Sequence, residues 1–200
     1  MKKLIPFIGF ICISASICLA QSNTTDKEAK LTKAEIEDFT DQASRVVWNL
    51  GRDITIIADK SQDSLKRRAA IKLACKLFIN ADSNIVQVSS VLPGIPIKFV
   101  PVRVYLNSLF DLPYSKVNIV WYHVYFSKLF EPGEGGLYYG IANISQTFTG
   151  YASKDIGTYH DVTEKKIKIV IEKIGEMDGD KEKQYWRLFL GDIQVTETKQ

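Results

Sequence analysis

Apolar side chains recur at helical intervals near the start of the globular part of the chain: Ile36, Phe39, Val46, Val47, Leu50, Ile54 and Ile57 share one face. Thr32-Lys33-Ala34-Glu35 precedes them with the spacing of a capping box, in which the Thr and Glu side chains satisfy exposed backbone groups. One long amphipathic helix from Thr32 to about Ala58 is expected. Gly51 interrupts it at about 1 kcal/mol relative to alanine, which points to either a bend or a close backbone approach. A second helix, capped by Ser61 or Asp63, is expected to turn Leu65, Ala69, Leu73 and Leu77 inward and to end near Ile79, with Arg68, Lys72 and Lys76 as a basic stripe. Such a stripe is read as the solvated face rather than a nucleic-acid or phospholipid site.

The pattern then becomes extended. Ile85 to Val91 and Ile95 to Phe99 flank Leu92-Pro93-Gly94, which predicts a hairpin. Pro101 starts a short helix that places Val102, Tyr105, Leu106 and Leu109 on one face, and Pro113 ends it. Four longer strands are expected at about 116–129, 137–149, 164–174 and 184–195. Gly133, Gly135 and Gly136 lie in the first of their connections and Asp178-Gly179 in the last. Val117 to Phe126 is bulky on both faces, the pattern of a central strand covered on both sides. Ile167, Ile169 and Ile171 alternate with Lys166, Lys168 and Glu172, the pattern of a strand with one wet face.

Upstream, Lys2 and Lys3, an apolar stretch from Leu4 to Ile17 and the small Ala20 have the layout of a cleavable secretion leader over residues 1–20, with cleavage near Ala20. Residues 21–30 read as a flexible polar leader, and 31–197 as one α+β domain. Cys12 and Cys18 raise a lipid-anchor alternative, but Ile11 and Ile17 stand where such sites take a small residue. Two of the 26 basic residues fall in the leader, leaving 24 against 23 acidic ones and a charge of +1, which implies no nucleic-acid partner. Two of three cysteines also fall there, so Cys75 stands alone and the domain must rest on its core without an internal disulfide. The expected location is the periplasm or the exterior, with no membrane span in the mature chain.

Two helices, a hairpin, a short helix and four long strands, with Val104-Tyr105-Leu106-Asn107-Ser108-Leu109 followed by the strand of Val117 to Phe126, form an order that resembles the nuclear transport factor 2-like superfamily. The resemblance covers the whole mature chain and implies helices packed in a curved, mostly antiparallel sheet. A cystatin-like cone is the alternative. It also implies a cavity between sheet and helices, which members use for isomerase or dehydratase chemistry, for ligand binding or for protein interaction. Their enzymes carry a pocket Asp or His base with a Tyr or Asp donor, and no residue here matches such a motif position by position.

Trp121, His123 and Tyr125 recur at spacing two on one strand, and Tyr105 lies on a helix able to pack nearby. Aromatic rings with polar tips suit a small-molecule pocket, so these four are the candidate ligand-binding residues, with His123 as base or hydrogen-bond partner. A hydrogen-bonded core histidine is the plainer reading of the same pattern. His160-Asp161, near Asp155, reads as a turn with local hydrogen bonds rather than a metal site. The Gly133 to Gly136 loop precedes a strand, so it offers no helix terminus to a phosphate. Cys75 reads as a small buried apolar residue. Asp63-Ser64-Leu65 has the form of a bacterial O-glycosylation acceptor, but a plain helix cap is the favoured reading of it.

No cofactor or metal is expected. Tyr138, Tyr139, Phe148, Tyr151, Tyr159, Tyr185 and Trp186 read as core filling or as a protein interface, through which a homodimer is one expectation. The favoured function is an exported, non-catalytic binding or protein-interaction module. A cofactor-free isomerase or hydratase acting on a small hydrophobic substrate is the alternative.

Overall fold

The computed structural model describes residues 30–92, 94–152, 158–178 and 181–200. The expected leader 1–20, residues 21–29, Pro93, Asp155 and Gly179 lie outside them. Helix α1 (Lys33–Ala58) opens with the expected capping box: the Glu35 N–H donates to Thr32 Oγ1 at 3.3 Å, and the Thr32 N–H donates to the Glu35 carboxylate at 2.7 Å. Val47, Leu50, Ile54 and Ile57 are fully buried. Gly51 marks a close approach, because a Cβ there would lie 3.0 Å from the Trp121 ring.

Helix α2 (Ser64–Lys76) is capped by Asp63, whose carboxylate accepts from the N–H groups of Leu65 and Lys66, so Asp63-Ser64-Leu65 is a helix cap. Its inward face differs from the expected one. Arg67, Ala70, Ile71, Ala74 and Cys75 are buried, while Leu65 and Leu73 are 75% and 53% exposed. The reason is Arg67. Its Nε donates to the Ile57 carbonyl at 2.8 Å and its Nη2 to the Phe110 carbonyl at 2.7 Å, with the guanidinium 3.9 Å above the Phe110 ring. These carbonyls sit at the ends of α1 and of α3 (Val102–Phe110), where helices run out of internal donors. One side chain thus ties three helices together and rotates α2 about its axis. Arg68, Lys72 and Lys76 are exposed.

Strands β1 (Ile85–Val88) and β2 (Lys98–Pro101) form the expected hairpin, with Gly94 at φ 79 in its turn. Val102, Tyr105, Leu106 and Leu109 of α3 are buried as one face. The long strands are β3 (Lys116–Pro132), β4 (Tyr138–Tyr151), β5 (Thr158–Asp178) and β6 (Lys181–Lys199). All join one six-stranded sheet in the order β2-β1-β6-β5-β4-β3. Every pairing is antiparallel except β1 with β6, which meet in parallel at Val86 and Ile193. Bulges interrupt β3–β4 and β5–β6, and bulges bend strands, so the sheet curves. The architecture is α+β, with helices packed on the concave face of a mostly antiparallel sheet. Leu50, Ile54, Ile57 and Leu106 from the helices meet Ile144, Ile167, Ile169, Leu190 and Ile193 from the sheet, all fully buried or nearly so. Each such side chain contributes about 1.5–3 kcal/mol of burial.

β3 is an edge strand and not the expected central one. Its inner residues Val117, Ile119 and Trp121 are buried, but Val120, Tyr125 and Leu129 on the other side are 45–59% exposed. Bulk on both faces therefore reflected one packed face and one solvent-facing face, not two covers. β5 behaves as expected through Ile167, Ile169 and Ile171, each fully buried. Cys75 is buried and unpaired, with burial pushing its thiol pKa up, which suits a packing role.

Candidate functional site

The inward row of β5 changes character along its length. Beyond Ile171, Ile169 and Ile167 the same parity continues as Lys165, Thr163, Asp161 and Tyr159, so the apolar floor becomes polar without leaving the inner face. Lys165, Thr163 and Asp161 are 3–6% exposed. Above them α3 and the segment after it supply Tyr105, Leu109, Leu112 and Tyr114, while β3 and β4 supply Ile119, Gln146 and Phe148. These side chains line an open cavity of about 200 Å³ between the helices and the sheet.

The polar groups form two clusters. Tyr159 donates its phenol proton to Asp161 Oδ2 at 2.6 Å, and Thr163 donates to Oδ1 at 3.2 Å, so both carboxylate oxygens are engaged. The Tyr159 oxygen also accepts the Val91 N–H at 3.3 Å and lies 3.1 Å from Ser90 Oγ, which ties the β1–β2 connection to the cavity. The second cluster is deeper. Lys165 Nζ donates to Gln146 Oε1 at 3.1 Å, and Trp121 Nε1–H donates to the same oxygen at 3.0 Å. Lys165 Nζ lies 5.9 Å from the centroid of the Tyr105 ring.

Burial lowers the Lys165 ammonium pKa to about 8, with the Asp161 charge opposing the shift. Burial also pushes the Tyr105 phenol far above its ordinary value, and the Asp161 charge adds to it. Tyr159 is raised by burial first and by its hydrogen bond to Asp161 second, and Tyr114 by burial and then Asp161. All three phenols therefore remain neutral donors near pH 7.

Of the four residues singled out from sequence, the structure brings two to this cavity. Tyr105 lines it, and Trp121 lies behind Gln146 and holds that side chain toward Lys165. His123 is exposed and Tyr125 is 59% exposed, so the shared face expected for Trp121, His123 and Tyr125 does not form. The cause is a bulge between Tyr122 and Tyr125, where β3 spends one residue more than β4 and His123 takes φ 53. The extra residue inverts the alternation, so Trp121 points inward and Tyr125 outward. His160-Asp161 is likewise no turn: both lie in β5, with exposed His160 Nδ1 3.1 Å from Thr149 Oγ1 and Asp161 on the inner face. Among the described residues no group of three or more His, Cys, Asp or Glu side chains gathers as a metal site.

The residues missed from sequence, Asp161, Thr163, Lys165 and Gln146, did carry a signal. Asp161, Thr163 and Lys165 continue the parity of the buried isoleucines of β5, and Gln146 continues that of Ile144 on β4; extending the β5 alternation toward Tyr159 places charged groups on an inward face.

No protein-family model matches the chain, and no curated protein sequence does. Among solved structures it is similar to a scytalone dehydratase-like protein of Novosphingobium aromaticivorans DSM 12444, at TM-score 0.43 and 8% identity over 83% of this chain and 90% of that one. It is also similar to a type 2 hexachlorocyclohexane dehydrochlorinase (LinA), at TM-score 0.37 and 14% identity over 81% of this chain and 91% of that one.

Proposed function

We propose that this protein is a small-molecule-binding module, exported through its leader into the periplasm or the exterior, and a non-catalytic member of the nuclear transport factor 2-like superfamily. The element order supports the superfamily, and the cavity supports the binding role. One observation carries the reading: a lysine 6% exposed faces the cavity with Gln146 as its one hydrogen-bond partner among the described residues. A buried ammonium has three N–H donors and is costly to desolvate, so a fold keeps one where an incoming group uses it. Apolar walls from Leu109, Leu112, Ile119 and Phe148 suit the body of a ligand. A cavity of about 200 Å³ is below the ~300–1,000 Å³ of sites for drug-sized molecules, so the ligand is small.

Binding is favoured over catalysis because Asp161, the natural base, has both oxygens held by Tyr159 and Thr163. The Asp161–Tyr159 pair itself supports the isomerase or hydratase alternative, in which the carboxylate takes a proton and the phenol stabilises the developing charge. Methyl NMR of the purified protein with mixtures of fragments of up to about ten heavy atoms tests the reading. Shifts at Leu109, Leu112 and Ile119 that Leu109→Trp abolishes are expected. Shifts confined to Val120 and Leu129 would replace the cavity reading with a surface-interaction one. Turnover of a bound fragment that Asp161→Asn abolishes would establish the enzyme.

A further inference from the structure

We infer that the ligand is a small amphiphilic monocarboxylate whose head group is received by Lys165 and whose apolar body lies along Leu109, Leu112, Ile119 and Phe148. This rests on the binding reading above and names its ligand class. Three features of the cavity point to it. First, the two buried charges are not equally provided for. Asp161 accepts from Tyr159 and Thr163, whereas Lys165 has one neutral amide oxygen, leaving two ammonium protons without an acceptor among the described residues. An anion at Nζ supplies the acceptors and the opposite charge together, in surroundings of low dielectric where charge-assisted hydrogen bonds are strong.

Second, Gln146 is positioned. Trp121 Nε1–H and Lys165 Nζ both converge on Oε1, so the amide cannot turn without breaking one of them, and the ammonium is held in place toward the cavity. Third, size and wall chemistry limit the rest of the molecule. The cavity of about 200 Å³ lies below the ~300–1,000 Å³ of sites for drug-sized molecules, so the apolar body is short. A carboxylate with five or six carbons attached, aliphatic or aromatic, fits that space. A second negative charge would meet apolar walls or the Asp161 carboxylate.

The groups facing Lys165 are Tyr105 from α3, Gln146 from β4, Trp121 from β3 through Gln146, and Asp161 on its own strand. The Tyr105 phenol is held neutral by burial, so the lysine is the group that changes charge between pH 7 and 10.

The experiment measures calorimetric or NMR affinities of the purified protein for benzoate and hexanoate, and for the neutral isosteres benzamide and hexanamide, at pH 6.5 to 9.5. The carboxylates are expected to bind at least tenfold more tightly than the amides at pH 7. Their advantage should hold below about pH 8 and fall as pH rises above it, because they require the protonated lysine. Lys165→Met should abolish the preference for carboxylates over amides. Equal binding of acids and amides to the wild-type protein, a comparison that needs no variant, overturns the inference and leaves the binding reading intact. A carboxylate preference that survives Lys165→Met, or that strengthens above pH 8, overturns it as well. Absence of binding by all four probes removes both.

Discussion

Lys165→Met removes a charge that the folded state holds at a cost, and the size of that cost follows from the structure. The lysine falls from its ordinary 10.5 to about 8 because burial penalises the ammonium. At 1.36 kcal/mol per pH unit this corresponds to about 3 kcal/mol. A lysine lowered in the folded state binds its proton more weakly there than in the unfolded chain. The full penalty therefore applies below pH 8 and is relieved as pH rises from about 8 to 10.5. The methionine variant lacks the penalty at every pH. It also loses the hydrogen bond to Gln146, worth about 1.5–3 kcal/mol for a charged donor, although Gln146 Oε1 keeps the Trp121 donor. At pH 7 the variant should be more stable by about 1 kcal/mol, or about 2–4 °C in Tm for a domain of this size. By pH 10.5 the order should reverse. Urea unfolding at pH 6 to 10.5, monitored by tryptophan fluorescence, reads this directly. The reasoning fails if the variant is less stable by 1 kcal/mol or more at pH 7, or if the stability difference stays constant across the series. A side chain whose removal stabilises the fold but abolishes binding is retained for use rather than for packing.

Arg67→Met should destabilise the protein by about 3 kcal/mol, because it leaves the Ile57 and Phe110 carbonyls without their donor; a change below 1 kcal/mol in urea unfolding would mean that α2 is held by its apolar contacts alone. Gly51→Ala should gain about 1 kcal/mol of helix propensity and lose about 1–3 kcal/mol to overpacking on the Trp121 ring. A net loss accompanied by altered tryptophan emission is expected, and a net gain would show that the ring can yield. Tyr159→Phe removes the phenol that joins Asp161 to Ser90 and Val91. Faster amide exchange across residues 89–92 is expected, with a stability loss of about 1–2 kcal/mol.

The amino-acid sequence by itself determined what depends on near neighbours. Thr32 and Glu35 set the start of α1, Asp63 caps α2, Gly94 permits the β1–β2 turn, and the period of two at Ile167, Ile169 and Ile171 assigned the inner face of β5. Capping, turn chemistry and alternation act over a few residues, so they can be read from the order of side chains. Only the tertiary structure decided which edge each strand occupies, how α2 is rotated, and what meets in the cavity. β3 looked central because bulky side chains stand on both its faces, yet among the described residues no strand lies beyond it. The bulge after Tyr122 arises where β3 and β4 must bend together, and it carries His123 and Tyr125 away from the face shared by Trp121. Lys165 and Gln146 stand 19 residues apart on neighbouring strands, and Tyr105 reaches them from a helix 60 residues before Lys165. Their meeting depends on strand order and sheet curvature, which arise from packing across the whole domain and leave no mark in any short stretch of sequence.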